Sequence, residues 1–183
     1  MDCTNCSSKT CRSVEACKST GFDTNAVQEE YHHEENQQVV RAAAVLVDNG
    51  RAGTLNRLQE VIEFIRLMGY KKPGLAYCYG MEKDALKMKG YFRQEGLKLT
   101  SVSCTVGGLA QDELNGNSCI HKVSCNPLGQ AKQLKEEGVD FVIIMGICLG
   151  HDVLLHRNLD VDFTTFVVKD RVLGHNPLSA LGS

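Results

Sequence analysis

A chain of 183 residues with a formal net charge of −2 suits one domain with a sizeable core and lacks the basic excess that attracts nucleic acid. No apolar run approaches the ~20 residues of a membrane span, and Met1-Asp2-Cys3 opens neither a signal peptide nor a myristoylation signal. The expectation is a cytoplasmic protein with no nucleic-acid or membrane partner. Nine cysteines, an odd number with no export signal, point to metal binding or thiol chemistry rather than a disulfide framework.

Residues 1–20 carry Cys3, Cys6, Cys11 and Cys17 among Ser, Thr, Lys and Asn, with almost nothing apolar to bury. Such a segment needs a partner that supplies its folding energy. The four thiolates are the candidate ligands of a metal knuckle, holding Zn2+ at ~2.3 Å or an iron–sulfur cluster. The spacing matches neither the common ferredoxin patterns nor the paired Cys-x2-Cys ribbon, so zinc and iron both stay open. The competing reading is a reducible tail with incidental cysteines.

Residues 23–69 read as a helical segment. Asp23 is placed to cap a helix through Ala26, Val27 and Tyr31. Val39, Val40, Ala43, Ala44, Leu46 and Val47 give a second apolar face, closed by Asn49-Gly50. Thr54 is the expected cap of a third helix, with Leu55, Leu58, Val61, Ile62, Ile65 and Leu67 at helical spacing before Gly69. His32 and His33 read as polar helix positions rather than ligands, because adjacent residues do not share a helix face.

From Pro73 to the end at residue 183, strands and helices alternate. Gly74–Cys78 reads as a strand, Met81–Glu95 as a helix closed by Gly96, and Leu97–Cys104 as a second strand. Leu109–Ser124 is irregular and is assigned to a loop. Pro127 starts a helix that ends at Gly138. The apolar run from Phe141 to Ile147 has the pattern of a strand buried on both faces; Asp152–His156 follows as a short helix and Phe163–Val168 as a last strand. Strands separated by helices predict right-handed crossovers and a parallel sheet. The fold class expected is therefore a three-layer, doubly wound α/β domain. Residues 1–183 form one unit in this reading: a knuckle at 1–20, a helical segment at 23–69 and a Rossmann-like core at 73–183.

Cys78, Cys104 and Cys148 end apolar strands, and the last strand ends at Lys169-Asp170-Arg171. Cys125 precedes a proline-started helix and reaches the same edge. In a parallel sheet these ends lie on one side, with neighbouring strands ~4.8 Å apart, where open α/β sheets bind ligands. Two thiolates ~4 Å apart repel by about 4 kcal/mol at an effective dielectric near 20. The cluster is thus expected to hold a metal or iron–sulfur cluster, to keep one activated thiolate among thiols, or to form a reversible disulfide. Burial as small hydrophobes is the plain alternative. Cys148-x2-His151 allows two metal ligands or a Cys–His nucleophilic pair, with His175 and Asp170 close enough in sequence to return to the same edge. Cys119 sits on a loop and looks dispensable. No Gly-x-Gly-x-x-Gly dinucleotide fingerprint occurs.

Gly146-Ile-Cys148-Leu-Gly150-His151 resembles the nucleophile elbow of class I glutamine amidotransferases, although Asp152 stands where that family has glutamine and its His-Pro-Glu signature is absent. A wider resemblance covers nearly the whole chain. The N-terminal cysteines, Ser103-Cys104-Thr-Val-Gly-Gly108, Cys125-Asn-Pro127 with Gln130-Ala131, Gly146–Asp152 and Val168–Pro177 together resemble the cysteine-rich prokaryotic family called domain of unknown function 1847. That resemblance implies metal binding and supplies neither substrate nor reaction. The function expected is a zinc or iron–sulfur protein whose sheet-edge residues Cys78, Cys104, Cys125, Cys148 and His151 carry redox or sulfur-transfer chemistry, with a metal ion and a small-molecule substrate as partners. The alternatives are a cysteine hydrolase or amidotransferase acting through Cys148, and a non-enzymatic binding module with structural zinc.

Overall fold

The computed structural model describes residues 1–13, 15, 17 and 20–182. They divide into two units, Met1–Arg51 and Ala52–Ser183. In the first, the Asp23 carboxylate accepts the Asn25 N–H and opens α1 (Thr24–Tyr31), the cap read from the sequence. This helix does not run on. His32 closes it, and extended backbone at His33 opens α2 (Glu34–Val47). The Asn36 and Gln37 side chains donate back to the carbonyls of Glu30 and Tyr31 across the break. His32 and His33 therefore occupy a junction rather than a helix face. Ala42 is the one buried residue among the described residues of this unit. Positions 14, 16, 18 and 19 of the expected knuckle lie outside the described residues.

In the second unit, α3 (Arg57–Met68) starts two residues later than a Thr54 cap would place it. Asn56 and Gln59 form a capping box, each side chain accepting the other's backbone N–H, which satisfies two orphan donors at once. The elements that follow are β1 (Pro73–Tyr77), α4 (Glu82–Gln94), β2 (Thr100–Ser103), α5 (Gln111–Leu114), α6 (Pro127–Glu136), β3 (Phe141–Met145), α7 (Leu149–His156) and β4 (Asp162–Val167). β2 is shorter than its apolar run because Leu97 N–H closes α4 onto the Phe92 carbonyl, 2.8 Å away, and so belongs to the helix end. The segment 109–124 is not wholly irregular. It holds α5 and an antiparallel bridge between Ala110 and Val123.

The four strands are all parallel, in the order β2-β1-β3-β4. Side chains alternate across the sheet. Leu75, Phe141, Ile143 and Met145 pack with α3 and α4, whereas Ala76, Val142 and Ile144 pack with Leu134 of α6 and Leu155 of α7. This is the three-layer α/β arrangement the alternation predicts. Right-handed crossovers account for it: α4 leads from β1 outward to β2, and α6 and α7 lead the opposite way, so they cover the opposite face. Gly74 lets α6 close on β1, since a Cβ there would stand 2.9 Å from Leu134. The order reverses between β1 and β3, and ligand crevices of open α/β sheets form outside the strand ends at such a switch point.

Candidate functional site at the sheet edge

Cys78 and Cys104 still belong to the ladder. The Cys78 N–H donates to Met145 O at 3.0 Å and the Cys104 N–H to Tyr77 O at 2.9 Å, so both sulfurs leave the sheet at its C-terminal edge. Both residues are buried. Cys104 O in turn accepts the Asn126 N–H at 2.6 Å. Asn126 is the N-cap of α6, its Oδ1 accepting from Gly129 N–H, and this anchors the neighbouring Cys125, half-buried. The result is a Cys104 Sγ to Cys125 Sγ separation of 3.4 Å. The Tyr79 N–H also reaches Cys104 Sγ, at 3.4 Å.

Cys148 is the N-cap of α7, and the helix begins at Leu149, three residues before the expected start, because Asp152 N–H bonds to Cys148 O at 2.8 Å. Gly146 makes the preceding turn at φ +63, and a Cβ there would lie 2.1 Å from Met81 Sδ. Two cations come from the loop after β4. Lys169 Nζ donates to Cys78 Sγ at 3.3 Å and Arg171 Nη2 to Cys148 Sγ at 3.1 Å. Asp170 fixes that loop: its Oδ1 accepts the N–H groups of Val172 and Leu173. His175 completes the turn, donating its N–H to Asp170 O and accepting the Asp170 N–H on Nδ1. Its ring thus serves the loop that carries the two cations.

Burial pushes the Cys104 thiol up to about 12, helped by the neighbouring Cys125 and Cys78. Cys125 is raised as well, first by burial and then by Cys148 and Cys78. The Arg171 proton is held more firmly because of Cys148. The structure thus brings Cys78, Cys104 and Cys125 within electrostatic reach of one another and Cys148 within reach of Cys125, and Cys104 and Cys125 rest as thiols at neutral pH. Cys119 stands exposed. His151 lines the same cleft as Cys125 and Cys148, with Nδ1 buried and unpartnered.

Three participants were not assigned to the site by sequence reasoning: Lys169, Arg171 and Gln130. The signal for the cations was a strand ending in Lys169-Asp170-Arg171. Gln130 is fully buried and donates from Nε2 to Tyr77 O at 3.1 Å and Val102 O at 2.8 Å, tying the ends of β1 and β2 just ahead of Cys78 and Cys104. Its traces in the sequence are a lone polar residue on the inner face of a helix and its place in the Gln130-Ala131 motif, neither of which gives it a role at the strand ends.

In the N-terminal unit, Cys3 and Cys11 are exposed, and Cys6 and Cys17 are half-buried. Lys9 adopts a left-handed turn (φ 47) and its N–H donates to Cys6 Sγ at 3.4 Å. That donor, followed by the Ser8 hydroxyl, lowers the Cys6 thiol. The thiol donors suit zinc or an iron–sulfur cluster by their chemistry. As arranged, no three His, Cys, Asp or Glu side chains among the described residues form a group that could hold a metal ion. No helix among the described residues is long and apolar enough to cross a membrane.

Comparison with known proteins adds two findings. The family model described as "Protein of unknown function (DUF1847)" matches residues 15–166. The uncharacterized protein MJ0455 of Methanocaldococcus jannaschii is 38% identical over 184 residues, covering 99% of this chain and 93% of its own length.

Proposed function

This chain belongs to the DUF1847 family, described as proteins of unknown function, and we propose that it is a thiol redox protein. In this reading Cys104 and Cys125 interconvert between dithiol and disulfide, and Cys148 is the sulfur that meets the reaction partner. The observation that carries it is the 3.4 Å contact between Cys104 Sγ and Cys125 Sγ. A disulfide needs ~2.05 Å, so closure asks for a movement of roughly 1.4 Å, within reach of side-chain rotation. The pair gives up two electrons and two protons as the S–S bond forms, and the partner takes both.

The division of labour follows from burial and charge. Cys104 is 2% exposed and raised, which suits a sulfur held in reserve. Cys148 is half-buried, opens a helix and carries Arg171 on its sulfur. A guanidinium stabilises the negative charge that a sulfur carries as it attacks or leaves. His151 lines the cleft and is available to take or return a proton. Treating the reduced protein with diamide, which accepts two hydrogens, tests the reading. Peptide mapping should then recover Cys104 and Cys125 in one disulfide-linked species, and Cys104→Ser or Cys125→Ser should abolish it. A folded protein that keeps both thiols free would refute it.

A second reading concerns metal in the N-terminal unit. Its support is the Lys9 N–H aimed at Cys6 Sγ and the lowered Cys6 thiol, since the thiolate is the form that ligates. The near absence of buried residues in Met1–Arg51 supports it too, because metal binding is folding energy for such a segment. Loading would have to draw Cys3, Cys11 and Cys17 in around Cys6.

A further inference from the structure

Resting on the redox reading, we infer that the cleft beside Cys148 takes a small disulfide bearing a carboxylate, with the carboxylate on Arg171 and one sulfur facing Cys148. The cleft has a volume of about 470 Å³, the size of small-molecule sites rather than of a protein interface. Cys125, Cys148 and Arg171 all line it, with Arg171 on the Cys148 sulfur and Cys148 within electrostatic reach of Cys125, so the sulfur that attacks first, the sulfur that resolves it and the cation open on one cleft. Among the described residues, Arg171 is the only Lys or Arg of the lining, and no Asp or Glu contributes to it. The cleft therefore favours an anion and disfavours a cation.

Arg171 has donors to spare. Its contact with Cys148 uses Nη2, and a guanidinium presents five N–H groups in a fork that matches a carboxylate. Leu114, Leu128 and Leu154 supply apolar wall for an aliphatic stem. A ligand that meets Arg171 with a carboxylate and Cys148 with a sulfur must hold the two a short stem apart. That is the plan of a carboxyalkyl disulfide.

The exchange balances without another oxidant. The Cys148 thiolate attacks one sulfur of RS–SR, forming a Cys148 mixed disulfide and releasing RS⁻. Cys125, deprotonated, attacks Cys148 Sγ and expels the second RS⁻. Cys104, deprotonated in turn, attacks Cys125 and returns Cys148 as thiolate. Two protein thiols have become one disulfide, RS–SR has become two RSH, and the two protons lost by Cys104 and Cys125 end on the two products.

The experiment uses the reduced full-length protein with three small disulfides: dithiodiglycolate (anionic), hydroxyethyl disulfide (neutral) and cystamine (cationic). Acid-quenched samples are analysed by mass spectrometry for loss of reduced protein and for the Cys148 adduct. Each rate is divided by that of the same disulfide with free dithiothreitol, which removes intrinsic reactivity. The expected order is anionic, then neutral, then cationic, with roughly tenfold between the first two. Arg171→Gln should collapse that preference, and Arg171→Lys should keep part of it. Equal normalised rates, a cationic preference or an order unchanged in Arg171→Gln would overturn the inference. Diamide separates the two levels. If it links Cys104 to Cys125 while none of the three disulfides labels Cys148, the substrate class is wrong and the dithiol reading stands. If diamide leaves the pair free, the redox reading falls.

Discussion

At the residue scale, burial decides how the sulfurs at the sheet edge titrate. An unfolded cysteine ionises near 9.0, whereas folded Cys104 is held to about 12. Between those values the folded chain keeps a proton that the unfolded chain has lost. This contribution to stability is complete below 9.0 and drains away as pH climbs towards 12. The urea midpoint of the reduced protein should fall over that window, and less steeply in Cys104→Ser; parallel slopes in the two proteins would contradict the assignment. Cys78, Cys104 and Cys148 were legible because each ends an apolar run, and the same parallel topology sends Lys169-Asp170-Arg171 to that edge. Which sulfur each cation meets was not legible, because the reach of Lys169 to Cys78 and of Arg171 to Cys148 depends on the turn that Asp170 and His175 build, and a loop path is not written in periodicity.

At the element scale, the alternating strands and helices from residue 73 onward could be read from apolar runs and glycine punctuation, and the all-parallel sheet followed from them. The boundaries could not. Thr54 and Asn56 are both competent caps, and only Asn56 has Gln59 three residues on to complete the box. Leu97 looks like strand and is spent on closing α4. The turn from β3 into α7 is the element that presents Cys148, and Gly146 is its pivot. Alanine there meets a left-handed backbone and Met81 Sδ at 2.1 Å, so Gly146→Ala should cost roughly 2–4 kcal/mol in equilibrium unfolding and slow labelling of Cys148. A neutral substitution would show that the turn has another solution.

At the scale of the whole molecule, the two units are held by different means. Ala52–Ser183 buries both faces of its sheet. Met1–Arg51 buries Ala42 alone among its described residues, so its stability must come from elsewhere, and four thiols are the chemistry it has on offer. Anaerobically purified protein should carry zinc or iron by elemental analysis, with the content reduced at least several-fold in Cys6→Ser and unchanged in Cys104→Ser. Content unchanged in Cys6→Ser would remove the N-terminal site. Dithiol–disulfide interconversion in the other unit is tested most directly by equilibrating the protein in thiol–disulfide buffers of graded ratio and measuring the Cys104–Cys125 linkage in each. A single reversible two-electron transition confined to that pair is the predicted result. Both thiols remaining free across the whole series, in protein that is still folded, would contradict it.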